Sequence, residues 1–378
     1  MIPLEEFRDE ARAWLAANAA EAPPNYGAIL PPEMYDAGVA WQQHLHAEGW
    51  SGIHWPTEHG GRGLTAEHQS IWLEESARAN VPPFVNMVGV VLAGGGLLQY
   101  GTDEQRDDHL ERILTTERVW CQLFSEPEAG SDLASLRTVA DAASAVDGSD
   151  GWIVNGQKVW CSGGRYSDWG ILMARTDRDA APHRGISFFL IDMHSDGVET
   201  RPLRQMTGDA EFDEVFLTDV HLPPTALLGP LHGGWGVGMS VLTNERGSIG
   251  AGAIAMERRL DSIASLGERA GGGRGLDVHD RQRLAELLSR GRSYQYLGLR
   301  QGGASVASSL NKLGITELMF ATAEFRADLA GADAMLAGPV ADGLLAAPGG
   351  RIAGGTSQVQ RNIIGERLLG LPKEPKPD

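Results

Sequence analysis

Cysteine is nearly absent from this chain of 378 residues, which contains only Cys121 and Cys161. Two cysteines so far apart form neither a disulfide framework nor a zinc-binding spacing, which excludes both kinds of small stabilised domain. The sequence also lacks the ~20 consecutive apolar residues of a membrane-spanning helix, and glycines interrupt its apolar run at 85–98. No basic segment typical of a secretory signal opens the sequence. We therefore expect a cytoplasmic protein without a membrane span.

Positive charge is also scarce. The chain has 32 Lys and Arg residues against 50 Asp and Glu residues, which gives a net charge of −18. Because such a surface repels phosphate backbones, general nucleic-acid binding is excluded. A small anionic ligand is not excluded, since a few arginines, main-chain amides and hydroxyls can hold it locally.

The hydrophobic pattern divides the chain into three parts. Residues 1–118 follow helical spacing, for example at Phe7 and Leu15. Residues 119–230 alternate between apolar and polar positions and contain many turn residues, and residues 231–378 return to helical spacing. Because the chain is too long for one ordinary core, we predict an α+β fold of three domains with these bounds. They are an N-terminal helical domain, a middle antiparallel β domain and a C-terminal helical bundle.

Individual elements can also be predicted. Thr65 can cap a helix that begins at the next residue. The other predicted helices cover residues 7–15, 41–50, 103–114, 239–254, 280–299 and 316–329. The predicted strands cover residues 151–159, 169–174, 185–191 and 215–220. A glycine-rich stretch at 270–275 lacks the preceding strand and the Lys-Ser/Thr ending of a nucleotide-binding loop, so we predict a loop between helices there.

Four ordered motifs carry the functional signal. Residues 123–132 read Leu-Phe-Ser-Glu-Pro-Glu-Ala-Gly-Ser-Asp, and residues 155–164 read Asn-Gly-Gln-Lys-Val-Trp-Cys-Ser-Gly-Gly. Residues 206–223 follow, and residues 351–361 read Arg-Ile-Ala-Gly-Gly-Thr-Ser-Gln-Val-Gln-Arg. Together they resemble the acyl-CoA dehydrogenase family, whose motifs include Thr-Glu-Pro-x-Ala-Gly-Ser-Asp and Asn-Gly-x-Lys-x-Trp-Ile-Thr-Asn. The resemblance covers roughly residues 50–370 and implies FAD-dependent α,β-dehydrogenation of an acyl-CoA thioester.

The resemblance implies that the first motif contacts the flavin. Main-chain groups around Phe124 and the hydroxyl of Ser125 would face the flavin ring, and Ser131 would lie between the flavin and the acyl-CoA. Gln122 and Gly130 are further implied FAD contacts. Donors on the N1/O2 side of the ring would raise its electron affinity, because reduction places negative charge there.

The second motif is similarly implied to contact the ring. Trp160 would lie against one face of the isoalloxazine, where an indole keeps water from the reduced ring. Ser162 replaces the threonine of the family, and its hydroxyl or amide would reach flavin N5. Cys161 belongs to the same cofactor-binding segment, and we expect it to be a small buried hydrophobe rather than a redox thiol.

The C-terminal motif departs from the family at one position. Thr356, Ser357 and Gln358 match FAD contacts of relatives, and Gly355 would let the backbone approach closely. Gly354 stands where many members, reading Ile-Tyr-Glu-Gly-Thr, carry their catalytic Glu. Either the chain is no dehydrogenase, or its base lies elsewhere. The missing side chain also opens volume beside the substrate, which favours a branched or bulky acyl group such as a steroid side chain.

The resemblance offers a candidate base at a second family position. The reaction needs a carboxylate that removes the α-proton while the β-hydrogen leaves as hydride, and burial raises the pKa of such a group toward the working pH. Isovaleryl- and long-chain-type dehydrogenases carry their catalytic Glu in Leu-x-x-Glu-Arg. Glu245 occupies that position in residues 242–246, and the resemblance places Arg246 near the substrate.

Two family segments that contact FAD across subunits are missing, namely Arg-x-x-Phe-Gly and Gln-x-x-Gly-Gly-x-Gly. Either Arg274, Arg281 or Arg283 replaces the missing arginine, or the adenine half of the site comes from a different partner chain. The family implies a homodimer, a homotetramer or a heterotetramer with a related subunit, and an electron-transfer flavoprotein as acceptor. Two alternatives stay open: a flavin oxidase or monooxygenase on the same fold, and a subunit that supplies only part of a FAD site.

Overall fold

Helices build the first hundred residues of the chain, as their apolar spacing predicts. The structure is a computed structural model that describes residues 2–27, 30–144, 150–244, 249–269, 276–299 and 305–373. The first five helices are α1 (Leu4–Asn18), α2 (Tyr35–Ala47), α3 (Ala66–Ala79), α4 (Gly94–Tyr100) and α5 (Asp103–Leu114).

Local sequence signals explain the buried face of α1 and the start of α3. In α1, Phe7, Ala11 and Leu15 form the buried face. The predicted cap of α3 is confirmed, because Thr65 and His68 form a reciprocal capping box.

Helix α4 was not predicted, because three consecutive glycines at its start are unfavourable in a helix and interrupt the apolar pattern. A π-helical turn, Val88–Ala93, leads into the helix within the apolar run. Gly94 lies against the Trp55 ring so closely that any Cβ would overlap it. Glycine is therefore required there for packing, and it does not mark a loop.

Seven strands of the described residues form one sheet after α5. They are β1 (Trp120–Leu123), β2 (Val139–Ser144), β3 (Asp150–Ser162), β4 (Trp169–Arg175), β5 (Ile186–Asp192), β6 (Val198–Leu203) and β7 (Phe212–Leu222). The order is β1-β4-β2-β3-β7-β6, and β5 pairs with β4. The long pairs β3–β7 and β4–β5 are antiparallel, whereas β1 pairs with β4 in parallel. Strands β1, β2 and β6 escaped prediction because they are short and lack clear alternation.

The chain divides into two compact units, Met1–Gly247 and Ser248–Asp378. The first contains α1–α5, the sheet and α6 (Gly234–Asn244), with one apolar core among its helices and another within the sheet. The second contains α7 (Ile249–Arg269), α8 (Val278–Leu299), α9 (Ser305–Ala330), α10 (Pro339–Ile352) and α11 (Ser357–Ile363). Its core joins α7, α8 and α9 through Met256, Leu260, Leu287, Leu318 and Phe325.

The order of helices, sheet and helices confirms the predicted α+β fold class. The helix predicted over 239–254 corresponds to the end of α6 and the start of α7, and residues 245–248 between them lie outside the described residues. The loop predicted at 270–275 also lies outside them. None of the described helices is both long and apolar enough to cross a membrane.

Candidate functional site

A bulge near the end of β3 turns one aromatic side chain out of the fold. The pairing of β3 with β7 shifts register between Lys158, opposite Val215, and Cys161, opposite Asp213. In an unbroken strand Lys158 and Trp160 would share a face. Instead Lys158 is fully buried and Trp160 is 55% exposed, with a left-handed φ of +60°. A bulky residue rarely adopts that conformation, and such strain concentrates at ligand-binding positions.

The residues around Trp160 divide between solvent and core. Phe212 supports the indole from β7 in an edge-to-face contact, with ring centroids 5.6 Å apart. Ser162 ends the strand and is exposed. Cys161 is buried as expected, and burial raises the pKa of its thiol well above the ordinary value. Any ligand contact of Cys161 is therefore limited to its main chain.

The first motif lies directly beside this bulge. Val159 N–H donates to the Ser125 carbonyl at 2.9 Å, which joins the two motifs through the main chain. The Ser125 N–H itself donates no hydrogen bond to any residue that the structure describes. Phe124 is buried, and Ser125 is half-buried. The other predicted contacts in this motif or directly before it are at least partly exposed: Gln122, Gly130 and Ser131.

Sequence reasoning missed the pair that holds the two motifs together. The Lys158 ammonium donates to the Phe124 carbonyl at 3.1 Å, to the Met173 carbonyl at 2.8 Å and to the Glu126 carboxylate at 2.8 Å. Glu126 is also buried. Both residues belong to the quoted motifs, so a lysine in one motif and a glutamate in the other were the available signal.

The surroundings lower the pKa values of both members of this pair. Burial lowers the pKa of Lys158, although Glu126 acts in the opposite direction. Burial would raise the pKa of Glu126, but the Lys158 charge and several hydrogen bonds outweigh it, so that pKa is lowered. Removing one partner would leave a buried charge uncompensated, which costs about 3–5 kcal/mol in comparable cases.

A second ion pair lies on the other side of the bulge. Arg165 Nε donates to the Asp213 carboxylate at 2.8 Å, and the Arg165 main-chain N–H donates to the same group at 3.0 Å. Asp213 is fully buried. The pair fixes the turn that follows Ser162, where Gly163 adopts a left-handed φ of +63°.

The C-terminal motif is ordered by contacts within the second unit. Gly354 has a φ of +62° and Gly355 a φ of +91°. The Gly354 carbonyl accepts from Gln360 Nε2 at 3.1 Å, and the Gly355 carbonyl accepts from Lys312 Nζ at 2.6 Å. Gly354 is exposed, and a Cβ built on it would meet no atom within 4 Å. A side chain at this position would therefore enter open space in this chain.

The three polar residues that follow have different environments. Thr356 caps α11, since its hydroxyl accepts from Val359 N–H at 3.1 Å. The Ser357 hydroxyl is buried and donates to Glu317 at 2.8 Å, so the side chain already has an internal partner. Gln358 is exposed. Thr356 and Gln358 are thus the more accessible members of the predicted set.

Comparison with known proteins decides the family. The acyl-CoA dehydrogenase N-terminal, middle and C-terminal domains match residues 4–117, 121–220 and 232–369. The chain belongs to the acyl-CoA dehydrogenase family. Among curated relatives, acyl-CoA dehydrogenase IpdE1 of Mycolicibacterium smegmatis is 38% identical over 400 residues, which covers 100% of both chains. The protein is therefore an acyl-CoA dehydrogenase, as the motifs predicted.

Solved structures of the same family share this fold. The steroid acyl-CoA dehydrogenase Tcur3481-Tcur3483 superposes with a TM-score of 0.80 at 25% identity and covers 99% of each chain. The ChsE4-ChsE5 complex from Mycobacterium tuberculosis gives a TM-score of 0.78 at 26% identity, again over 99% of each chain.

The predicted base and the predicted arginines of this acyl-CoA dehydrogenase lie partly outside the described residues. Glu245, Arg246 and Arg274 lie outside the described residues. Arg281 is exposed near the start of α8. Arg283 pairs with Asp328 at 2.7 Å and lies over the Phe325 ring, so its guanidinium already has partners within the second unit.

Proposed function

We propose that this acyl-CoA dehydrogenase binds FAD and oxidises an acyl-CoA to the trans-2-enoyl-CoA. The observation that carries the proposal is the exposed Trp160 indole beside the Ser125 N–H, which has no acceptor in the described part of the chain. A flat apolar surface next to this main-chain donor fits a flavin ring, which has a flat face and a rim of acceptors. When bound, FAD supplies the acceptor for the β-hydride.

The chain's own groups have separate tasks in this proposal. Trp160 covers one face of the ring and excludes water from it. The Ser125 N–H and hydroxyl and the Ser162 hydroxyl donate to the ring's acceptors, and Ser131 lies between the ring and the substrate. Further proposed FAD contacts are Gln122, Phe124, Gly130, the main chain of Cys161, Thr356, Ser357 and Gln358.

Glu245 is the proposed base that removes the α-proton. Gly354 has no acid-base group, so the base must lie elsewhere, and Glu245 stands at the second position that the family uses. Arg246 and the main chain at Gly355 are proposed to hold the substrate. The loss of a proton from the α-carbon and of a hydride from the β-carbon leaves the α,β double bond of the enoyl-CoA.

The proposed substrate has a branched or bulky acyl group, such as a steroid side chain. The open space around the Gly354 Cβ position supports this, because a catalytic side chain of the usual kind would occupy that volume. The similarity to an enzyme described as a steroid acyl-CoA dehydrogenase gives independent support.

The proposed assembly contains a second copy or a related subunit. Helix α10 reads Pro-Val-Ala-Asp-Gly-Leu-Leu-Ala-Ala-Pro-Gly-Gly-Arg-Ile, yet none of its residues is buried in the chain alone. A helix rich in apolar residues that all keep some exposure in their own chain is typical of a subunit interface. The two-component names of the steroid enzyme and the ChsE4-ChsE5 complex favour a related subunit. An electron-transfer flavoprotein is the proposed electron acceptor.

Purification of the chain alone tests the proposal. We expect bound FAD, visible as flavin absorbance, that bleaches without oxygen when a steroid-side-chain acyl-CoA is added. Butanoyl-CoA in the same panel tests the preference for bulky groups. Absence of bound FAD both alone and with a related subunit would overturn the proposal. Rapid reoxidation of the reduced protein by oxygen would favour the oxidase alternative.

A further inference from the structure

Three segments of the sheet unit converge on one buried ammonium group. Lys158 lies in β3, Met173 lies in β4, and Phe124 and Glu126 lie in the loop after β1. A lysine has three N–H donors, and here each has an acceptor: two carbonyls and one carboxylate. This arrangement locks the loop after β1 onto the strand that carries Trp160.

The bond to the Phe124 carbonyl also fixes the direction of the next N–H. In a trans peptide the C=O and the following N–H point in opposite directions. Because the Phe124 carbonyl points at Lys158, the Ser125 N–H points away from this buried group. The Ser125 carbonyl is fixed in turn by Val159 N–H at 2.9 Å. The carbonyls of Phe124 and Ser125 are therefore both held, whereas the Ser125 N–H has no acceptor among the residues that the structure describes.

Glu126 fixes the position of the Lys158 ammonium by accepting a hydrogen bond from it. Its carboxylate accepts from the main-chain N–H groups of Arg137 at 2.6 Å and Thr138 at 2.9 Å. These bonds keep the carboxylate in place inside the sheet, where Lys158 neutralises it. The Arg165–Asp213 pair fixes the chain beyond Ser162. The strained residue Trp160 thus lies between two segments that are anchored by ion pairs, one fully buried and one with a buried carboxylate.

We propose that the Lys158–Glu126 pair is a positioning device that aims the Ser125 N–H at the flavin bound against Trp160. The proposal rests on the proposed function, because it needs a flavin at this surface. Lys158 and Glu126 are both buried, so in this proposal neither contacts the flavin itself. Their effect on the ring passes through one peptide group, between Phe124 and Ser125.

A purely structural role is the competing explanation, and paired variants separate the two. Lys158→Met alone leaves Glu126 as an uncompensated buried charge and is expected to lower the unfolding midpoint strongly. The double variant Lys158→Met/Glu126→Gln removes both charges and is expected to regain most of that loss. The double variant still lacks the Lys158 ammonium that donates to the Phe124 carbonyl in the wild type. A structural role predicts that FAD binding recovers together with stability, whereas a positioning role predicts that it does not.

The first experiment measures FAD affinity and thermal unfolding of the apoprotein for the wild type and these variants. The double variant is expected to bind FAD about tenfold more weakly, the loss typical of a displaced hydrogen bond to a polarised group. The matched control is the exposed Glu199–Arg201 pair on β6, and Glu199→Gln/Arg201→Met is expected to change neither quantity. A double variant that binds FAD as tightly as the wild type would overturn the proposal.

A second measurement does not depend on the variants folding. In wild-type protein labelled with 15N-serine, the Ser125 amide is expected to exchange quickly without FAD and about tenfold more slowly with FAD, since the flavin then accepts its hydrogen bond. An unchanged exchange rate in FAD-loaded protein would contradict the positioning role and leave FAD binding itself intact. Failure of the wild type to bind FAD would instead overturn the proposed function and this proposal together.

Discussion

Replacing Trp160 with alanine should weaken FAD binding while leaving the fold almost unchanged. The residue is 55% exposed, and a tryptophan has about 150–250 Å² to bury, so about 80–140 Å² is free to contact a ligand. A ring that covers half of that area would gain about 1–2 kcal/mol at 25 cal/mol per Å². We therefore expect the Kd for FAD to rise by about five- to thirtyfold in Trp160→Ala.

The stability of this variant should change little, because the indole has few contacts to lose. Its one aromatic contact among the described residues is with Phe212, at 5.6 Å. The matched control is Trp152→Ala, on the same strand, where the ring is half-buried and packs edge-to-face on Phe189 at 5.4 Å. We expect the control to lower the unfolding midpoint and keep FAD affinity.

The assay is a titration of the apoproteins with FAD, followed by flavin fluorescence, together with thermal unfolding of the same samples. An unchanged Kd in Trp160→Ala would refute the assignment of this surface to the flavin. A loss of affinity that only accompanies a loss of stability would refute it as well.

Two further predictions concern stability. Gly355→Ala should lower the unfolding midpoint more than Gly354→Ala, because both positions have positive φ but only the Cβ at 355 meets Gln360, 2.6 Å away; equal midpoints would contradict this. Burial, helped by the Arg118 charge, lowers the pKa of His109 to about 4, whereas an unfolded histidine has a pKa of about 6.5. The unfolded state therefore binds the proton first, and stability should fall by about 2–4 kcal/mol between pH 6.5 and pH 4. His109→Gln should show a smaller fall in denaturant midpoint over that range, and an identical fall in both proteins would contradict the assignment.

Local sequence signals predicted much of the fold because their causes are local. Helix α5 begins and ends at the predicted residues, since Thr102 and Gln105 cap its start. Strands β3, β4, β5 and β7 were predicted because they are long and carry apolar side chains in a clear pattern. Strand β6 reads Val-Glu-Thr-Arg-Pro-Leu and is recognisable only through its pairing with β7.

The parts of the site that the sequence left open depend on residues distant in the chain. Lys158 and Glu126 are 32 positions apart, so nothing local indicates that they pair. The exposure of Trp160 follows from a bulge that only the partner strand reveals. The Ser357 hydroxyl is directed inward by Glu317, which is 40 positions away on another helix. The motifs therefore supplied the candidate residues, whereas the direction of each described side chain required the fold.

The central claim is that Glu245 is the base of a FAD-dependent acyl-CoA dehydrogenase, and one single-turnover measurement tests it most directly. Wild-type, Glu245→Gln and Glu257→Gln proteins, the last an exposed position on α7, are loaded with FAD and mixed without oxygen with a steroid-side-chain acyl-CoA. The claim predicts that all three bind FAD, that the wild type and Glu257→Gln bleach at the same rate, and that Glu245→Gln bleaches at least about a hundredfold more slowly. Bleaching of Glu245→Gln at the wild-type rate would contradict it.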